Sequence, residues 1–495
     1  RGLGDVYKRQ TLMTKKQKKT LKRIIAAAVL TVLLYVVIRC FGGDAINGGS
    51  QIALLSATSV CVMLAIGIYR CKWAVLEEAI IDNIRASASA IIILLLIGAI
   101  AGSWMVSGVV PTMIYYGLKI LHPSFFLVAS CAICAGVSLM TGSSWTTIAT
   151  IGVALMGIGQ AMGFPEGWIA GAIISGAYFG DKISLLSDTT VLASSTVGVP
   201  IFTHIRYMLY TTVPSFVIAL AVFVIAGLTL DHTGGTHAGM YAESLRGTFR
   251  ITPWLLAVPV ATGVLIVRKL PAIVTLFCAA VFACIAMLLA QPELVAKVAG
   301  VGGLDFMSGF KGVLMSCFGP TAIPTGSPQL DELVATRGMA GMLNTVWLII
   351  CAMCFGGVMT GSGMLGALTS VFLRFVRRAF SAVASTVGAG IFFNLCTADQ
   401  YISIILSGRL FRELYAEQGL EPRLLSRSVE DSATVCSVLV PWNSCGMTQA
   451  TVLGVSTFVY MPYCIFNIVS PLMSLAVAAI GWKIKRAAGS AAHPH

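Results

Sequence analysis

The sequence predicts an all-α polytopic membrane protein with about 10 full spans, two re-entrant hairpins and an inverted repeat of interrupted helices. Three observations carry that prediction. The 495 residues are 57% hydrophobic and only 11% charged, with a mean hydropathy of +0.88, where a soluble chain would carry roughly a quarter charged residues. Apolar runs near the ~20 residues needed to cross a bilayer recur along the whole length. The Lys and Arg clusters fall on one side under a single threading.

The net charge of +13 does not point to nucleic acid. Nine Lys/Arg against Asp5 lie within residues 1–23, immediately before the first apolar run. That placement is a cytoplasmic flank obeying the positive-inside rule. Residues 1–12, RGLGDVYKRQTL, read as a non-native leader, with Met13 the expected start. The fourteen cysteines are scattered. Cys131/Cys134 and Cys351/Cys354 have CxxC spacing but no accompanying His or second pair, so packing is the better reading than metal or redox chemistry.

Residues 13–86 should hold the basic flank, two spans (24–41 and 51–69, the second ending at Arg70 and Lys72) and an amphipathic surface helix, WAVLEEAIIDNIR. Repeat 1 follows at 87–230, with a span at 87–108, a hairpin at 123–162, a broken helix at 168–199 and a span at 207–230. The inter-repeat region, 231–340, should return at 252–268 to Arg268-Lys269, go out at 271–290, and then run externally, partly inserted near GVLMSCFGP. Repeat 2 occupies 341–486, with a hairpin at 379–412 and a broken helix at 430–456, and 487–495 form a tail. Both termini are expected in the cytoplasm.

The hairpins rest on length and charge. The arms 380–395 and 400–411 are short for full crossings, and Arg377/Arg378 and Arg409/Arg412 flank both ends. Entry from the cytoplasm explains both facts, while 123–162 lacks such charge and should enter from outside. Each hairpin follows a Gly-rich span, GAIAGSWMVSG or GGVMTGSGMLG. Each precedes a polar-interrupted one, GDKISLLSDTT or EDSATVCSVLVPWNSCG. Matching order with opposite charge bias is the pattern of an inverted repeat whose broken helices place a site at the midplane.

The interruptions carry the chemistry. On an unbroken helix Asp181 and Asp188 would share a face about 10.5 Å apart, and two buried anions there would be prohibitive. A break instead exposes carbonyls beside Ser184, Ser187, Thr189 and Thr190, an all-oxygen set that suits a hard cation such as Na+. Desolvation disfavours the charged form of a carboxylate, so one group can hold a proton or a cation but not both. That competition is the chemistry of cation/proton exchange. Asp188 is the leading candidate, supported by Asp181, Asp399 and Asp431, with Ser187, Thr189, Thr397 and Asn443 as neutral ligands. A Na+ site at Asp188, Thr189 and Asn443 is the specific expectation. Ser143, Ser144, Trp145 and Gln400 are hairpin-tip candidates, and His204 is a gating candidate.

Blander readings stand beside these. Asp181 and Lys182 can simply bridge helices. Glu430-Asp431, after Arg423 and Arg427, can be a salt bridge at a cytoplasmic end or an acidic helix N-terminus. His204 with Arg206 can be an interface residue whose polar end reaches toward water.

The stretches VPTMIYYGLKIL, GSSWTTIATIGVALMGIG, SGAYFGDKISLLSDTT, HIRYMLYTTVPS, TADQYISIILSGRLF, SRSVEDSATV, VPWNSCG and YMPYCIFNIVSP resemble the NhaC-type Na+/H+ antiporter family over roughly residues 75–480. The resemblance implies a bacterial inner-membrane secondary transporter of the ion-transporter superfamily, with a scaffold and a mobile transport unit. Some members resemble malate/lactate exchangers. Three positions depart from the pattern: prolines are usual where Leu185 and Val438 stand, and an asparagine often replaces Val191.

Together these readings predict Na+/H+ antiport by alternating access, with Na+ and H+ as transported ions and no cofactor. The alternative is a Na+- and H+-coupled organic-acid exchanger. The core motifs are read as lacking an arginine to receive a carboxylate, which favours inorganic cations. Partners are lipid, the ions and, under the alternative, small organic acids; a homodimer is compatible with the sequence. An intramembrane enzyme is disfavoured because HExxH and GxSxG are missing. A channel would not need two hairpins and two broken helices.

Overall fold

The computed structural model describes residues 48–482 and 484, apart from 231–235, 269, 304, 326–330, 332–333, 366–371, 373–375 and 377. The expected leader, basic flank, span 24–41 and C-terminal tail lie outside the described residues, as do Lys269, Arg374, Arg377, Lys483, Lys485 and Arg486. Among the described residues the chain is helical, and its one extended pairing is an isolated antiparallel bridge between Thr321 and Thr336. Seven helices are long and apolar enough to cross a membrane, or up to 10 if each of three bent pairs is one span.

α1 (Gly49–Gly67) packs on α14 (Leu343–Gly361), as does α2 (Trp73–Val106). The stretch expected as a separate surface helix is the first third of α2, continuous with the span that follows. Its polar residues fit one long helix because they divide by face. Asp82 and Arg85 pair on the exposed side, while Asn83 donates to the Met353 carbonyl of α14 at 3.4 Å. α3 (Val109–Ile120) then turns back behind the left-handed Gly108.

The first helical hairpin has α4 (Phe126–Thr141) as one arm. The other runs from a single turn at Ser144–Thr147 through a π-helical turn at Ile148–Gly152 into α5 (Val153–Ala161). α4 lies tightly along α6 (Glu166–Ile183). Gly176 and Gly180 make this possible: a Cβ on either would run into the Cys131 or Ala135 carbonyl of α4. Small residues four apart let helix backbones touch where apolar burial gives no drive toward association. α6 stops at Ile183, four residues are non-helical, and α7 (Asp188–Val197) leaves at 46°. α8 (Ile201–Thr229) follows, with Pro214 inside it.

Between the halves lie α9 (Thr236–Thr248), α10 (Ala257–Val267), α11 (Ala272–Ala290), α12 (Pro292–Ala299) and the short apolar α13 (Phe306–Phe318). The second hairpin is α15 (Ala379–Thr397) and α16 (Gln400–Glu417), turning at Ala398, whose φ is +57°. α17 (Pro422–Val429) passes into a π-helical turn at Glu430–Thr434 and a tight 3-10 turn at Ser437–Leu439, before α18 (Ser444–Leu453) resumes. α19 (Ile465–Ile480), containing Pro471, packs against both α6 and α8.

Candidate functional site

In each half a hairpin tip is fastened to a broken helix. In the first, Asp181 at the end of α6 accepts from the Ser144 amide at 3.0 Å and the Ser144 hydroxyl at 2.7 Å. Ser184 donates to the Leu139 carbonyl at 2.8 Å. Ser187 caps α7 by accepting from the Thr190 amide, and its hydroxyl meets that of Thr189 at 3.0 Å. Ser143 caps the turn that carries Ser144 and Trp145 by accepting from the Thr146 amide.

The second half exchanges the chemical roles. Here the aspartate is at the tip: Asp399 caps α16 by accepting from the Ile402 amide at 3.0 Å, and its second oxygen accepts from Ser444 of the broken helix at 3.2 Å. The Ser444 amide donates to the Ala398 carbonyl at 2.8 Å. Asn443 caps α18 through its side-chain oxygen, which accepts from the Cys445 amide, while its amide nitrogen donates to Asn394. Thr397 donates within its own turn, to the Phe393 carbonyl at 2.9 Å. Gln400 accepts from Ser437 at 3.3 Å.

A cavity of about 580 Å³ opens beside the first break. Asp181, Asp188, Thr189, Ser143, Trp145 and Gln400 line it, with Tyr401 and the α2 segment from Ala86 to Ile93. Asp188 is exposed to it, whereas Asp181 is buried behind it. Among the described residues no Lys, Arg or His lines it, so its titratable lining there is acidic. A larger cavity of about 720 Å³, lined by Glu166 and Arg337, holds none of the candidate residues. It touches α2 at Met105, roughly 28 Å along the helix from Ala86 at 1.5 Å per residue.

Not all the expected ligands converge. Asp188 and Thr189 face one cavity, but Asn443 and Thr397 do not line it, and the Asn443 oxygen is already a helix cap. Asp431 lies in a third, fully buried group. It accepts from Lys182, from Thr211 at 3.2 Å and from Ser470 at 3.4 Å. Arg427 Nε is 4.0 Å from its other oxygen, near enough for ion pairing but not for a hydrogen bond. The guanidinium lies 4.7 Å from the Tyr207 ring. Glu430 is also fully buried, and His204 Nδ1 sits 2.8 Å from the Ser426 hydroxyl of α17.

Two readings are thereby corrected. Arg427 belongs to the interior, so the motifs do contain a core arginine. Its guanidinium serves Asp431 and Tyr207, and it does not line the acidic cavity. Glu430 and Asp431 are buried mid-element and not at a helix N-terminus; Asp431 is in a salt bridge, with Lys182 and Arg427. Lys182 does bridge helices, to Asp431, and Asp181 reaches across to Ser144. The 427/431 spacing, one helical turn, was the available signal for the Arg–Asp pair. Nothing in the sequence singled out Tyr401.

The family model for the Na+/H+ antiporter family matches residues 176–482. The Na+/H+ antiporter NhaC of Alkalihalophilus pseudofirmus is 35% identical over 425 residues, covering 85% of this chain and 89% of that one. The malate-2H+/Na+-lactate antiporter of Bacillus subtilis is 35% identical over 440 residues, 88% of each chain. The arginine/ornithine antiporter ArcD of Halobacterium salinarum is 33% identical over 417 residues, 83% of each. A match spanning both broken helices and the second hairpin places this multi-pass chain in the Na+/H+ antiporter family.

Proposed function

We propose that the protein exchanges Na+ for H+ across the bacterial cytoplasmic membrane by alternating access. The observation that carries this reading is the acidic cavity at the first helix break, where Asp188 is exposed and the buried Asp181 and Thr189 line the same space. A cation entering there meets carboxylate and hydroxyl oxygens and, among the described residues, no basic side chain. Asp188 binds Na+ or a proton in turn; Asp181, steadied by Ser144, supplies the second negative charge. Asp399 and Asp431 act from the second half, through the hairpin tip and the buried ion pair. The cavity borders Leu270, two residues from Arg268, so under the positive-inside rule it faces the cytoplasm.

In everted vesicles, Asp188→Asn should abolish the Na+-induced pH change with expression intact. Wild-type activity in that variant would overturn the assignment.

One observation favours organic-acid coupling as a second reading: about 580 Å³ is within the range of small-molecule pockets and far more than one ion fills. The lining opposes it, because two carboxylates, with no basic side chain among the described residues, disfavour an anion that arrives without cations or protons. Counterflow of radiolabelled malate or lactate in proteoliposomes separates the two. Uptake driven by Na+ or H+ would establish the second reading.

A further inference from the structure

The described cysteines are all free thiols. One pair among them stands apart from the CxxC spacings. Cys284 of α11 and Cys317 of α13 place their sulfurs 3.5 Å apart, 33 residues apart in sequence. No other two described cysteines are in hydrogen-bond contact. Both are half-buried, whereas Cys131, Cys134, Cys396, Cys436, Cys445 and Cys464 are sealed in the interior.

Their surroundings are apolar and outward-facing. Val281, Ile285 and Leu288 flank Cys284 at helical spacing and are exposed, as are Leu314 and Phe318 around Cys317. In a membrane protein such a surface meets lipid. A thiolate is expensive there, so a water-borne oxidant acting through the thiolate is poorly suited. An oxidant soluble in hydrocarbon can approach.

We propose that Cys284 and Cys317 are a reversible redox modification site, oxidised to a disulfide by an apolar two-electron acceptor of the quinone class. Two S–H bonds break and one S–S bond forms. The two electrons and two protons pass to the quinone oxygens, giving one quinol. Closing the sulfurs to about 2.05 Å requires an approach of about 1.5 Å.

The crosslink would join α11 to the end of α13 at a tight place. A Cβ on Gly102 of α2 would run into the Ser316 carbonyl, and Gly338 packs on the backbone of Phe318 and Gly319. Gly338 lines the cavity of about 720 Å³. Oxidation would therefore fix one wall of that cavity to α11. This inference is independent of the transported ion.

The test uses the full chain in lipid nanodiscs, treated with decylubiquinone, unfolded in SDS with N-ethylmaleimide and weighed intact. The expected result is the loss of two alkylated thiols of the fourteen, restored by dithiothreitol. An unreduced digest should join the Cys284 peptide to the Cys317 peptide. Cys284→Ser should eliminate the loss, and Cys278→Ser on the same helix should leave it unchanged. Full alkylation after quinone treatment, or a crosslink through any other cysteine, would overturn the proposal.

Discussion

Lys182 donates to Asp431 across 249 residues of sequence, with both side chains fully buried where α6 meets the π-helical turn after α17. The pair ties the two broken helices to each other. With Arg427 and Glu430 it makes a buried group of two basic and two acidic residues. Asp431→Asn would take from both Lys182 and Arg427 the carboxylate each is paired with, whereas Lys182→Met leaves Asp431 with Arg427, Thr211 and Ser470. Breaking a buried pair costs about 3–5 kcal/mol, because the remaining charge is uncompensated. Both variants should therefore melt earlier, with Asp431→Asn the worse of the two. Tryptophan-fluorescence melts in detergent check this; equal or reversed melting temperatures would contradict this charge balance.

The Ser144–Asp181 bond belongs to the proposed ion site. Removing the hydroxyl takes the shorter of the two Ser144 bonds from Asp181 and leaves the backbone amide at 3.0 Å. A hydrogen bond to a charged group contributes about 1.5–3 kcal/mol, and at this position it fixes where the second negative charge lies. Ser144→Ala should raise the Na+ concentration for half-maximal exchange several-fold, and Ser144→Thr should largely restore it. A fall in maximal rate at unchanged Na+ dependence would instead mark Ser144 as a packing residue.

Gly142 separates α4 from the first hairpin tip. Its φ is +67°, and a Cβ there would stand 2.6 Å from the Leu186 main-chain carbon. The left-handed conformation alone costs a non-glycine residue about 1–2 kcal/mol, and the contact forces the tip away from the break. Gly142→Ala should thus lower both melting temperature and exchange rate. Ala at Gly136, on α4 with open space around its Cβ position, should be near neutral in the same melts.

Much of this fold, and the position of its candidate site, was legible in the amino-acid sequence, for a physical reason. Charge and hydroxyls inside an apolar run are tolerable only where the helix is interrupted, so GDKISLLSDTT marked the first break and EDSATVCSVLVPWNSCG the second region of irregular backbone. What stayed hidden was partnership across the chain. Nothing in Lys182 pointed to Asp431. Arg427 looked peripheral because a run of arginines usually marks a membrane boundary, while its burial depends on Tyr207 from another helix. The continuity of α2 was missed because Asp82 and Arg85 suggested a surface helix. They stand on the exposed side of a helix whose buried side, at Asn83, grips α14. Asn443 and Thr397 offer ligand oxygens, but the fold uses the first as a cap and the second within its own turn.

Leu185, where relatives of the resembled pattern usually carry proline, permits a test of the break itself. It occupies the second position of the turn Ser184–Ser187, which closes through the Ser187 amide and the Ser184 carbonyl at 3.4 Å. That is the position proline favours in such turns. Ser184 is extended, with ψ 135°, as a residue before proline must be. The Leu185 amide has no backbone partner among the described residues, and its side chain is 47% exposed. Proline there should remove no hydrogen bond and bury nothing less. Leu185→Pro is therefore expected to be tolerated and to stabilise by about 0.4–1 kcal/mol, through a less flexible unfolded chain. The readout is a higher melting temperature with Na+-dependent exchange retained. A variant that melts earlier would mean that residues 184–187 do not form a turn able to accept proline at its second position.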